Sequence, residues 1–144
     1  MAKQLFPVVF IPSLSRPKQD NDIRYKRGPA WDFEAGDFAR DGAGKIPTAT
    51  GRDNYIAWCV KTSQTERFAK LAYPSSIGAE LEAAKQEKSR EATELALERT
   101  IREALMVNPR TEYVRDFTFQ WDGDRVRISF RVKGRNIEEF QATV

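Results

Sequence analysis

The stretch WDFEAGDFARDG, residues 31–42, sets Asp32, Glu34, Asp37 and Asp41 among aromatics and glycines. Carboxylates so close together can hold a metal ion or share a proton. A calcium loop, however, needs oxygens at regular spacing around a glycine and a bidentate acid to close it. Here Asp32, Glu34 and Asp37 are separated by Trp31, Phe33 and Phe38. On a strand that order turns the acids to solvent and the aromatics inward. The stretch reads as a structural hairpin. Other acid pairs, Glu80 with Glu82 and Glu98 with Glu103, would suit a glycosidase only if two carboxyls faced each other across a cleft. Each reads instead as a helix-surface residue among lysines and arginines. There is no histidine, which removes the commonest general base and zinc ligand. Cys59 is the one cysteine, so no internal disulfide forms, as expected in a reducing compartment. It lies on an apolar helical face, which marks it as core. No enzyme, metal, cofactor or small-molecule substrate is expected.

The basic residues offer a second chemistry. Arg125, Arg127, Arg131 and Lys133 alternate along one strand and share a side. With a net charge of +3, that side invites phosphate contacts. No aromatics interleave with it, so the stacking platform of a single-strand binder is missing. A nucleic-acid-associated protein is therefore the alternative reading, behind protein contact or a solvated strand face.

These residues need elements to hold them. Residues 1–29 form an extended basic arm, with Phe6 and Phe10 in a short apolar run and Arg16 and Arg24 among the prolines. Residues 30–144 form one domain. Residues 30–50 predict a β-hairpin whose returning strand is 46–50. A helix starts near Gly51, capped by Thr50 or Asp53, with Ile56, Cys59, Val60 and Ser63 on its inner face and Trp58 extending it. A second helix spans about 77–86, capped by Ser75 or Ser76. A third spans about 88–107, with Leu97, Ile101 and Leu105 as its stripe, and Asn108-Pro109 stops it. Phe117–Trp121, Val126–Val132 and Phe140–Val144 alternate as a three-strand meander around turns at Asp122-Gly123 and Gly134-Arg135-Asn136. The fold class is α+β: an N-terminal β-hairpin and two to three helices packed on a three-stranded antiparallel C-terminal sheet. No run is long enough to span a membrane. A last strand at a sheet edge can pair with another chain.

Over about residues 30–134 the chain resembles the contractile-tail sheath-initiator family of baseplate wedge proteins, often labelled tail-lysozyme-like. It is most similar to the branch found in prophages of Gram-positive bacteria and in phage-tail-like particles. The resemblance is carried by Trp31–Phe38, Thr48–Gly51, Ala57–Phe68, Ala72–Leu81, Ile101–Arg110 and the Phe117–Val132 hairpin, in that order. It implies a structural protein of the virion or tail-like particle, made in the bacterial host cytoplasm. Its partners would be the sheath subunit and baseplate wedge proteins, with tail-hub or tube-initiator proteins as further neighbours. The sheath would add strands to its sheet, through a surface that includes Arg127, Arg131, Phe140, Ala142 and Val144. The family's Glu-Pro-Arg turn, which meets the wedge, corresponds here to Asn108, Pro109 and Arg110. The asparagine loses the acid's charge, so any ion pair made by that acid does not carry over. The arm matches the family poorly, and is expected to order against a neighbouring baseplate protein.

Overall fold

A computed structural model describes residues 23–144. Phe6, Phe10 and Arg16 of the arm lie outside the described residues. The order is β1 (Gly28–Pro29), β2 (Trp31–Asp32), β3 (Asp37–Phe38), β4 (Thr48–Ala49), α1 (Gly51–Gln64), α2 (Leu81–Lys85), α3 (Arg90–Met106), β5 (Thr111–Asp122), β6 (Arg125–Gly134) and β7 (Phe140–Thr143). The last three strands form one antiparallel sheet in the order β5-β6-β7. Helix α3 packs against β5, and α1 packs against α3 and β7. The core between helices and sheet is built on Phe130, Leu97, Ile101, Leu105, Val132 and Cys59, all fully buried. The class is α+β, as the alternating C-terminal pattern and the α3 stripe predict.

The expected hairpin over 30–50 is two nested pairs. Trp31 and Asp32 face Phe38 and Asp37 in a tight inner pair. The returning residues Thr48 and Ala49 pair instead with Pro29 and Gly28. The acids explain the split, because they bind their own loops. Asp32 accepts from the amides of Glu34 and Ala35 at 2.9 and 3.1 Å. Asp41 accepts from Ala43 and Lys45 at 2.9 and 2.8 Å. Asp32 closes the turn that ends β2, and Asp41 closes the loop between β3 and β4. Phe33 therefore sits in a turn and is exposed, not turned inward. Trp31 and Phe38 meet edge to face at 5.3 Å, under the Lys61 ammonium of α1 at 3.9 Å from the indole centroid.

Helix α1 begins as expected, with the Thr50 hydroxyl accepting from the Asp53 amide at 3.2 Å. Its buried stripe overlaps the predicted one in part. Tyr55, Cys59, Thr62 and Ser63 are buried, while Ile56 and Val60 are only half-buried. The inner face is partly polar and still satisfied: Tyr55 bonds Thr111 at 2.7 Å, and Ser63 donates to the Cys59 carbonyl at 2.8 Å. Cys59 and Ser63 lie inward as expected, and Val60 and Trp58 pack against the core from its margin, so the centre of the face is turned toward Tyr55 and Thr62.

The second helix is shorter than predicted, Leu81–Lys85, and Ser75 and Ser76 do not cap it. Its first turn is spent elsewhere. Gly78 has φ +100°, and Ala79 bridges Glu66 in parallel. The Glu66 carboxylate then caps the helix, accepting from the amides of Leu81 and Glu82 at 2.9 and 3.1 Å. Helix α3 is close to its expected span, capped by Ser89, whose hydroxyl accepts from Ala92 at 3.1 Å. Strand β5 starts at Thr111, well before Phe117, and carries a bulge between Arg115 and Thr118. Asp116 at its centre has φ +58°.

Candidate functional site

The two edges of the C-terminal sheet are built differently. On β7, Ile128 and Val144 exchange both backbone bonds, at 2.8 and 2.9 Å. Such pairs alternate along an antiparallel ladder with pairs whose backbone groups face away. Phe140 and Ala142, opposite Val132 and Phe130, therefore bond inward to β6. The amides and carbonyls of Gln141 and Thr143 face outward. Among the described residues no strand lies beyond them. On β5 the same alternation turns Val114 outward, but the Arg102 Nε of α3 donates to its carbonyl at 3.3 Å. Arg102 also pairs with Glu98 and lies over the Phe117 ring. With the bulge beside it, this end of the β5 edge is closed by its own chain.

The sequence-predicted residues at β7 divide by face. Ala142 is buried, while Phe140 and Val144 are half-buried on the helix side. Phe140 meets the Tyr55 ring edge-on at 6.0 Å. Arg127 and Arg131 stand on the opposite face. Arg131 is held by Glu139 at 3.4 Å and Asp116 at 3.9 Å. Glu139, which sequence reasoning missed, gathers the start of β7. It accepts from the Tyr113 hydroxyl at 2.7 Å and from Arg115 at 2.8 Å. The Tyr113 hydrogen bond, with help from Arg115, holds its carboxyl below the usual range. An acid at 139, beside a strand facing Arg131, was the available signal. The Ser129 and Thr143 hydroxyls complete this face, 3.1 Å apart.

A second locus lies where α3 ends. Asn108 Oδ1 accepts from the Arg110 amide at 2.9 Å, and Pro109 follows the last turn. Arg110 Nε donates to the Arg24 carbonyl at 2.7 Å, and the Arg110 carbonyl accepts from the Arg135 amide at 2.8 Å. A cleft of about 190 Å³ opens here, lined by Tyr25, Lys26, Tyr55, Trp58, Asn108 and Arg110 among others. Met106 and Val107, which precede Asn108 in the chain, are exposed. Tyr25 anchors the described end of the arm, donating to the Arg135 carbonyl at 2.6 Å.

The acids weighed for catalysis are engaged locally. Glu80 pairs with Arg67 at 3.6 Å and Glu82 with Lys85 at 3.0 Å. Burial pushes the Cys59 thiol up to about 12. Among the described residues no group of histidine, cysteine, aspartate or glutamate could hold a metal ion.

Fold and site thus define a small α+β domain that offers backbone hydrogen bonds along one strand and an apolar helix end. Residues 27–139 match the family model of the contractile injection system sheath initiator. The chain belongs to that family, and is a structural component of a contractile injection system. Among curated proteins none matches the chain.

Proposed function

We propose that this protein links the baseplate wedge to the sheath and nucleates the first sheath disc by β-augmentation along β7. The observation that carries the reading is the outward backbone of Gln141 and Thr143 on an edge with no paired strand among the described residues. An extended sheath segment gains hydrogen bonds there without displacing any made by β6. The wedge contact is the end of α3: Asn108, Pro109 and Arg110, with Met106 and Val107 as its apolar part. Arg110 acts there mainly by fixing the turn, since its Nε is bonded to Arg24. The protein works without catalysis or a cofactor, in the baseplate of a phage or tail-like particle assembled in the host cytoplasm. The tail hub and tube initiator are its further neighbours, and the arm orders on one of these baseplate proteins. Nucleic-acid binding has less support, because Arg131 of the basic face is already paired with acids.

The test is capture of the matching sheath protein by the full chain and by Thr143→Pro. Proline at 143 removes an outward N–H and leaves the inward ladder bonds of Phe140 and Ala142 in place. Capture is expected to fall at least tenfold with circular dichroism unchanged. Equal capture by both chains would sink the β7 reading.

A further inference from the structure

Residues 24–28, at the described end of the arm, join elements that are remote in sequence. The Arg24 carbonyl accepts from Arg110 Nε at 2.7 Å. The Tyr25 hydroxyl donates to the Arg135 carbonyl at 2.6 Å. The Arg135 amide donates in turn to the Arg110 carbonyl at 2.8 Å. These three bonds close a circuit through the arm, the turn after α3 and the loop between β6 and β7. Further along, the Lys26 carbonyl accepts from Asn54 Nδ2 of α1 at 3.0 Å, and Gly28 then enters β1 opposite Ala49.

The seat is shaped to Tyr25. Its ring meets Tyr55 edge-on at 5.3 Å, and buried Tyr55 is bonded to Thr111, the first residue of β5. A Cβ on Gly51 would lie 2.5 Å from the Tyr25 carbonyl oxygen, and one on Gly134 would lie 2.5 Å from the Tyr25 hydroxyl. Only glycine at both positions lets the segment come this close. Within the turn after α3, Asn108 sets the backbone locally, accepting from the amides of Arg110 and Thr111 at 2.9 and 3.0 Å. The bonds to residues 24 and 135 fix that turn against the rest of the molecule.

We infer that residues 24–28 are a strap that presets the α3 end for the wedge, with Tyr25 as its positioning residue, so that seating of the arm and wedge binding are linked. This rests on the α3 end being the wedge contact. A turn already held in its docking geometry loses less freedom when the partner arrives. Linkage is reciprocal: if a seated strap strengthens wedge binding, bound wedge strengthens the strap by the same factor. The arm is then a working part of the contact and not a tether beside it.

The test compares capture of the matching wedge protein by the full native chain, Tyr25→Phe, Tyr25→Ala and Val107→Lys, with sheath capture as the internal control. Tyr25→Phe keeps the ring on Tyr55 and loses only the bond to Arg135, so it is expected to weaken wedge binding roughly two- to tenfold. Tyr25→Ala is expected to weaken it at least tenfold, with sheath capture unchanged. Without any partner, Tyr25→Phe should also speed hydrogen exchange at the Arg135 amide while Val132 stays protected. The inference is overturned if Tyr25→Ala binds the wedge protein as the native chain does, or if exchange at Arg135 is unaltered. It is also overturned if sheath capture and melting temperature fall in step with wedge binding, since Tyr25 would then be merely structural. If Tyr25→Ala alone binds as the native chain does, the strap falls and the wedge contact stands. If Val107→Lys binds equally well too, the α3 end is not the contact and both readings fail.

Discussion

Glu139 shows how one side chain sets the position of a whole strand. It precedes Phe140 and draws Tyr113, Arg115 and Arg131 together over the start of β7. Its carboxyl is held below the ordinary value of 4.5, first by the Tyr113 hydroxyl and then by Arg115. A group with a depressed folded value adds stability above its unfolded value, and that stability is lost as pH falls through the folded one. The native chain should therefore hold β7 firmly at neutral pH and loosen it below pH 4.5. Glu139→Gln keeps a hydrogen-bonding side chain without the charge, so it should lower the melting temperature at pH 7. On acidification it should then lose less than the native chain does. Melting curves of both chains at neutral and acid pH provide the check. An equal acid loss in both would mean that other carboxylates govern it. The effect is a modest one, since Glu139 is only half-buried and its arginine partners are exposed.

Between helices α1 and α2 the chain is held by backbone geometry more than by apolar contact. The Arg67 amide donates to the Ala79 carbonyl at 3.0 Å, and the Ala79 amide to Thr65 at 2.9 Å. Gly78 makes this closure feasible. A Cβ there would lie 2.7 Å from the Thr65 carbonyl oxygen and 2.9 Å from the Arg67 nitrogen, at φ +100°. Gly78→Ala should cost roughly 1–3 kcal/mol. It should also raise amide exchange at residues 79–82, where Glu66 caps α2, while leaving the sheet protected. Unfolding titrations combined with hydrogen exchange would show this, and unchanged protection at 79–82 would refute it. This element also marks the limit of what patterning revealed. The α3 stripe and the C-terminal meander were legible because apolar period and burial coincide in them. The α2 start was not, since a bridge and a remote carboxylate decide it. The hairpin was half legible: its aromatics pair, but side-chain bonds from Asp32 and Asp41 divide it. The buried face of α1 was read in part: Cys59 and Ser63 are buried as expected, while Tyr55 and Thr62, whose hydroxyls gave no apolar signal, take places that Ile56 and Val60 only half fill. At the candidate site, the position of the terminal strand at an edge could be read from order alone. Which backbone groups face outward required the register.

Helix α1 spans the molecule between the two proposed contacts. Gly51 at its start borders the cleft beside Arg110, and Gln64 at its end borders a groove beside Thr143. Its 14 residues put about 20 Å between them. Changes that far apart, with no shared partner, normally add. Val107→Lys alters an exposed residue at the helix end, and Thr143→Pro alters an outward amide at the edge. The first should weaken wedge binding and leave sheath capture unchanged; the second should do the reverse. In the double variant each loss should equal its single-variant value. Under the proposed bridging role, assembly should fall further than either binary affinity, because several copies engaging both partners at once would multiply small losses. Binary binding and particle assembly measured on the same four chains would separate these effects. If Val107→Lys also reduced sheath capture of isolated chains, the two surfaces would be coupled through α1. The protein would then transmit wedge binding to the sheath edge instead of merely bridging the two.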